Sequence, residues 1–163
     1  MNKKTIKLLF ICCEVVLAVA AFCMLFLPAV GIKDSDTTYS GMNVTFGYSV
    51  KVLLEVKVFE FSFMNLLTYI FAIAAAVLAC LKLFVKDSKV ITLVVSALLI
   101  VAGVFFFLTV QFTSVNANAT SVIKAVGGDI KGGLTLGIGA ILGGVFALLG
   151  GATACCEFFL VKE

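Results

Sequence analysis

The sequence predicts an all-α membrane protein: a four-transmembrane-helix bundle with a small antiparallel β-sheet in its first extracellular loop. Three observations predict it. Of 163 residues, 63% are hydrophobic and 13% charged, with a mean hydropathy of +1.23, whereas an ordinary globular chain is roughly half apolar and a quarter charged. The apolar residues gather into four runs, each long enough to supply the about 20 residues that cross a ~30 Å hydrocarbon core. Between the first two runs lies NVTFGYSVKVLLEVKVFEF, residues 43–61, which is strand-like and dotted with charge.

The first run covers about residues 8–30 and is interrupted once, by Glu14. Lys3, Lys4 and Lys7 in front of it resemble the start of a signal peptide. The length of the run, the interruption at Glu14 and the lack of an A-x-A site read instead as a retained anchor helix. An outer loop follows over residues 31–60. From Val50 the even positions Val50, Val52, Leu54, Val56 and Val58 are all apolar, while Lys51, Glu55 and Lys57 interrupt the odd ones. That is period two, the mark of a half-buried strand. Residues 39–48 are rich in Thr, Val, Phe and Tyr, with Gly41 and Gly47 as turn candidates. Residues 36–60 therefore read as two or three antiparallel strands. A lone hairpin is marginal in water, so this sheet leans on the helix ends or on another chain. It is either a cap over the bundle or a partner-binding strand.

The second run, 61–85, has no charge until Lys82, and the short turn VKDSK makes the third, 90–112, its antiparallel neighbour. A polar, glycine-rich outer loop, 113–132, leads to the fourth run, 133–161, uncharged until Glu157. The whole of 1–163 reads as one membrane domain. The lysine clusters Lys3, Lys4, Lys7 and Lys82, Lys86, Lys89 fall on one side if the spans alternate. By the positive-inside rule both termini are then cytoplasmic, in a multi-pass protein of the cell membrane.

The net charge of +3 comes from lysine alone, with no clustered basic face, so nucleic acid is not an expected partner. Histidine is absent, which removes the commonest general base and the commonest transition-metal ligand. No nucleophile–base pair, phosphate-binding loop or paired acids can be assembled, so no catalytic residue, metal or cofactor is expected. Six cysteines (Cys12, Cys13, Cys23, Cys80, Cys155 and Cys156) lie in the runs and read as small apolar residues.

Two constellations stand out. Gly139, Gly143, Ala147 and Gly151 recur every four residues, and Gly133 and Gly137 form a further G-x-x-x-G just before them. Membrane helices associate by close backbone packing, and glycine costs about 1 kcal/mol of helix propensity in water. The strip therefore has a use, either helix packing within the bundle or an oligomer interface. Glu14, Lys82 and Glu157 share a depth on three different runs and make a Glu–Lys–Glu cluster possible, as an ion or proton relay or as mutual neutralisation. Asn65, Thr68 and Gln111, near the outer ends, are expected to hydrogen-bond between helices.

The layout resembles the claudin-like tetraspans in its cytoplasmic N-terminus, β-rich first outer loop, tight inner turn, shorter second outer loop and small-residue fourth helix. The claudin first loop also carries a tryptophan, a G-L-W motif and a disulfide pair, while residues 31–60 here hold neither Trp nor Cys. The expected function is non-enzymatic: an accessory subunit or surface-interaction module acting through contacts. Its partners would be the lipid bilayer and a protein partner or further copies of the chain. The alternative is a protomer of a small oligomeric channel or transporter.

Overall fold

A computed structural model describes residues 3–33, 36–51, 55–85, 89–116 and 133–160. Four helices are long and apolar enough to cross a membrane, the pattern of a multi-pass membrane protein. They are α1 (Lys3–Cys23), α3 (Phe63–Leu81), α4 (Lys89–Phe107) and α6 (Ile138–Leu160). Each packs on two neighbours in the order α1–α3–α4–α6, and α6 closes the ring on α1.

The inside of the bundle is built from small side chains. Ala18, Ala21, Ala72, Ala75, Ala79, Ala102, Ala140, Ala147 and Ala154 are fully buried, while Val16, Val77, Val90 and Leu149 point outward. This distribution suits helices in lipid, where larger apolar residues gain nothing by leaving the surface and small ones let backbones meet.

The helices stop short of the ends expected from their apolar runs, and three of those runs continue as something else. Residues 24–26 form a 3₁₀ turn, with the Leu27 N–H donating to the Met24 carbonyl (3.1 Å). Pro28, the single proline of the chain, then opens strand β1 (Pro28–Ile32). Proline lacks an N–H donor and suits the first residue of a strand better than a helix interior. At the far end of the third run α4 gives way at Leu108 to a short α5 (Thr109–Phe112). The fourth run begins as strand β5 (Leu134–Leu136), and α6 starts only at Ile138.

β1 is the middle strand of a three-stranded antiparallel sheet, flanked by β2 (Thr38–Ser40) and β5. Val30 faces Tyr39 on one side and Leu136 on the other, so the segment after α1 and the segment before α6 are joined through β1. A second sheet is the hairpin β3 (Tyr48–Lys51) and β4 (Glu55–Phe59). The all-strand reading of residues 36–60 needs one correction, because Gly41–Phe46 forms a helical turn and a half, α2. Its start is capped by Ser40, whose hydroxyl accepts from the Asn43 N–H (3.4 Å). Val44 and Thr45 turn inward while Met42 and Phe46 stay exposed, a helical rather than an alternating pattern. Gly47, at φ +97°, ends it in a backbone conformation that favours glycine.

The sheets rest on the bundle through a core of a different kind. Val30, Val44, Phe59 and Leu134 are buried together. Tyr39 joins the two sheets edge-on, with its ring centroid 4.8 Å from Phe59 and 5.5 Å from Tyr48.

Candidate functional site

The buried stripe of α1 runs Ile11, Glu14, Ala18, Ala21, with spacings of three and four. Such residues share one helix face, so Glu14 is aimed at the bundle interior. The same spacing leads along α3 through Thr68, Ala72, Ala75 and Ala79 to Lys82, and along α6 through Ala147, Gly150 and Ala154 to Glu157. All three charged residues thus occupy core positions at one end of their helices. The bundle brings them together. Lys82 Nζ donates to Glu14 Oε2 at 2.5 Å and also to Glu157 Oε2.

None of the three side chains is more than 3% exposed. A charge withdrawn this far needs a partner, and one ammonium bridging two carboxylates supplies it from three elements at once. The match is incomplete, since Glu14 Oε1 has no hydrogen-bond partner among the described residues. α4 contributes Ser96, which the sequence reading did not single out. Its hydroxyl donates to the Gly151 carbonyl (3.0 Å) and lies 2.9 Å from Cys155 Sγ.

The glycine strip divides into two. Gly133 and Gly137 lie outside the fourth helix, where they serve strand pairing. The Gly133 carbonyl accepts from the Lys33 N–H (2.7 Å), and the Gly137 N–H donates to the Ala29 carbonyl (2.8 Å). The helical part faces inward. A Cβ on Gly139 would come within 2.9 Å of Leu27 Cβ, one on Gly143 within 2.7 Å of the Phe106 ring, and one on Gly151 within 2.7 Å of Ile100. Ala147 is buried with Ala21, Tyr69 and Phe106. Within the described residues this face of α6 is covered by the same chain's α4 and by residues 27–28. The sequence reading missed two further members of the seam, Gly144 and Gly103, because they fall off the strict four-residue count. A Cβ on Gly103 would meet Leu148 at 2.7 Å and the Gly144 carbonyl at 3.3 Å.

At the opposite end Val50 pairs with Val56 across the hairpin; Val52 and Leu54 lie outside the described residues. Val58 is half-buried, and among the described side chains of β4 the deeply buried one is its odd-numbered neighbour Phe59, at 1% exposure. Asn116 ties the hairpin to the segment after α5: its side chain donates to Glu60 Oε1 (2.7 Å), and Phe59 bridges to Val115. Burial, with Tyr48 alongside, raises the Tyr39 hydroxyl above the ordinary tyrosine range.

The polar residues expected to link helices behave otherwise. The Thr68 hydroxyl donates to Met64 of its own helix, the Asn65 side chain is buried without a partner among the described residues, and Gln111 is exposed on α5. The cross-link comes instead from Ser62, whose hydroxyl donates to the Phe112 carbonyl at 2.6 Å.

Compared with known proteins, the chain matches no family model and no curated protein.

Proposed function

We propose that this is a non-enzymatic membrane protein that works by contact, as an accessory subunit or surface-interaction module. Its contact surface is the sheet-bearing end. The observation that carries this reading is the set of strand edges there that no other described residue pairs with. Among the described residues β3 pairs only with β4, and β2 only with β1. An exposed strand edge presents unpaired N–H and C=O groups, a ready template for a strand from another chain. The bundle beneath supports the same reading, because its described interior is packed with alanine, glycine and larger apolar side chains such as Leu99 and Phe106, and its buried charged residues bind one another at the far end. The lysine bias would place the termini in the cytoplasm and the sheets outside the cell, in the cell membrane. The claudin-like layout fits a protein that meets its partner through outer β-structure.

A photo-crosslinking residue at Ser49 on β3 tests this in the native membrane. The reading expects an adduct of one defined mass, absent when the probe replaces Val77 on the lipid-facing surface of α3. The same diffuse labelling from both positions would overturn it.

The alternative, a channel or transporter protomer, is favoured by one observation: the buried triad leaves a Glu14 carboxylate oxygen open. Ion flux in reconstituted vesicles that disappears with Glu14→Gln would put that reading first.

A further inference from the structure

On α2 the pattern of exposure is the reverse of the one water imposes. Met42 and Phe46 lie four residues apart, share a helix face and are 42% and 54% exposed. Thr45 is fully buried, and its hydroxyl has no hydrogen-bond partner among the described residues. An exposed apolar side chain alone is ordinary, but its exchange with a buried polar one is not. We propose that α2 is immersed in the lipid leaflet at the sheet-bearing end, with its Met42–Phe46 face against the acyl chains just below the headgroups.

Three features point to lipid as the occupant. The first is continuity. The start of α3 repeats the exchange, with Phe61, Phe63 and Met64 exposed while Ser62, Asn65 and Thr68 are buried. α3 is one of the four helices apolar enough to cross a membrane. α2 is docked beside it, where the Thr45 carbonyl accepts from the Ser62 N–H (2.9 Å), and Phe46 and Phe61 line one recess.

The second feature is depth. The Gly41 N–H donates to the Leu27 carbonyl (3.1 Å), and a Cβ on Gly41 would strike the Tyr69 hydroxyl and the Leu25 backbone. Leu25 belongs to the first apolar span and Tyr69 to the second turn of α3. α2 therefore starts level with the helix ends and not beyond them. Its backbone meets protein partners through Ser40, Leu27 and Ser62, as lipid requires.

The third is the limit of the pattern. Asp36, Thr37 and Thr38 before α2, and Lys57 and Glu60 after it, are exposed in the order water imposes. Lys57 and Glu60 border the recess that Phe46 and Phe61 line, so the headgroup level passes there. The inference is independent of the contact reading. It fixes which part of that end lipid covers, and it leaves β3 and β4 in water.

The chain has no tryptophan, so one introduced indole reports its own surroundings. Phe46→Trp and Met42→Trp are each placed in nanodiscs whose lipids carry bromine either near the headgroup or near the chain end. Both sites are exposed, so the core is untouched. Each variant should lose about half its fluorescence to bromine near the headgroup, and less to bromine near the chain end. Ile73→Trp, exposed in the middle of α3, should show the opposite order. Lys57→Trp should respond to aqueous iodide and to neither lipid. Quenching of Phe46→Trp or Met42→Trp by iodide alone overturns the proposal by placing α2 in water. Protection from both bromine and iodide overturns it too, by showing a protein cover.

Discussion

The two ends of this molecule handle polar groups in opposite ways. At the end where α1 and α4 begin, three charged side chains are withdrawn from solvent and joined through Lys82. At the other end Lys57 on β4 and Glu60 just after it are exposed, and the core is aromatic and aliphatic: Phe59, Val30, Val44 and Leu134, with Tyr39 beside them. The contrast follows from the surroundings each end must satisfy. Between helices packed through alanine there is no water to solvate a charge, so charges must meet each other. Sheets beyond the helix ends can leave charge exposed and gain from burying large apolar groups. The first end is therefore sensitive to the loss of one partner, and the second to the loss of volume.

Breaking the triad should have the largest effect. Lys82→Met leaves two buried carboxylates facing each other, and removing one member of a buried pair costs about 3–5 kcal/mol. Thermal unfolding in detergent should show the loss. Neutralising all three residues together (Glu14→Gln, Lys82→Met, Glu157→Gln) should restore most of it, because no charge is then left uncompensated. If the triple variant is as unstable as the single one, the groups act by shape and not by charge.

Phe59→Ala tests the other end. Removing a buried phenylalanine costs about 3–5 kcal/mol when the site cannot collapse, and here it should unseat the hairpin alone. Hydrogen exchange should rise over residues 48–59 while α3, α4 and α6 keep their protection. A cooperative loss across all four helices would mean that the two ends fold as one unit.

A smaller effect separates two adjacent glycines. A methyl at Gly143 meets the ring of Phe106, which is fully buried, so Gly143→Ala should cost about 1–3 kcal/mol by overpacking. At Gly144 the obstacle is Phe107, a ring 38% exposed that can swing outward, so Gly144→Ala should cost clearly less. Equal melting shifts for the two variants would contradict this packing.

The smallest effect is a titration. The raised Tyr39 hydroxyl favours the protonated form in the fold. Its contribution to stability is fully present below the unfolded tyrosine value and is lost as pH climbs through the folded one. The difference in phenolate absorbance between the wild type and Tyr39→Phe should show a tyrosine titrating above the ordinary range, brought back toward that range by Phe59→Ala.

The helices were legible in the sequence because a run of apolar residues is a local signal, and so was the common depth of Glu14, Lys82 and Glu157. Their mutual contact depends on three separate helix faces, which spacing alone places on the inside. The helix ends were not legible. Residues 28–30 and 134–136 continue apolar runs, and what makes strands of them is the pairing of residues 30–32 with 134–136 across most of the chain. No local periodicity records a partner that distant. Residues 41–46 misled for a related reason: their Val, Thr and Phe favour strands, but the Ser40 cap and the packing of Val44 and Thr45 carry the helix. The Gly103–Gly144 approach lies on two helices and has no counterpart in either one's own spacing.

The central claim, that the molecule acts by contact through its sheet-bearing end, is tested most directly by native mass spectrometry of the protein released from its own membrane in mild detergent. The account predicts a stoichiometric foreign chain, retained by the wild type and by Lys4→Gln but lost from Phe59→Ala. A closed homo-oligomer that survives Phe59→Ala, with no foreign chain present, would contradict it.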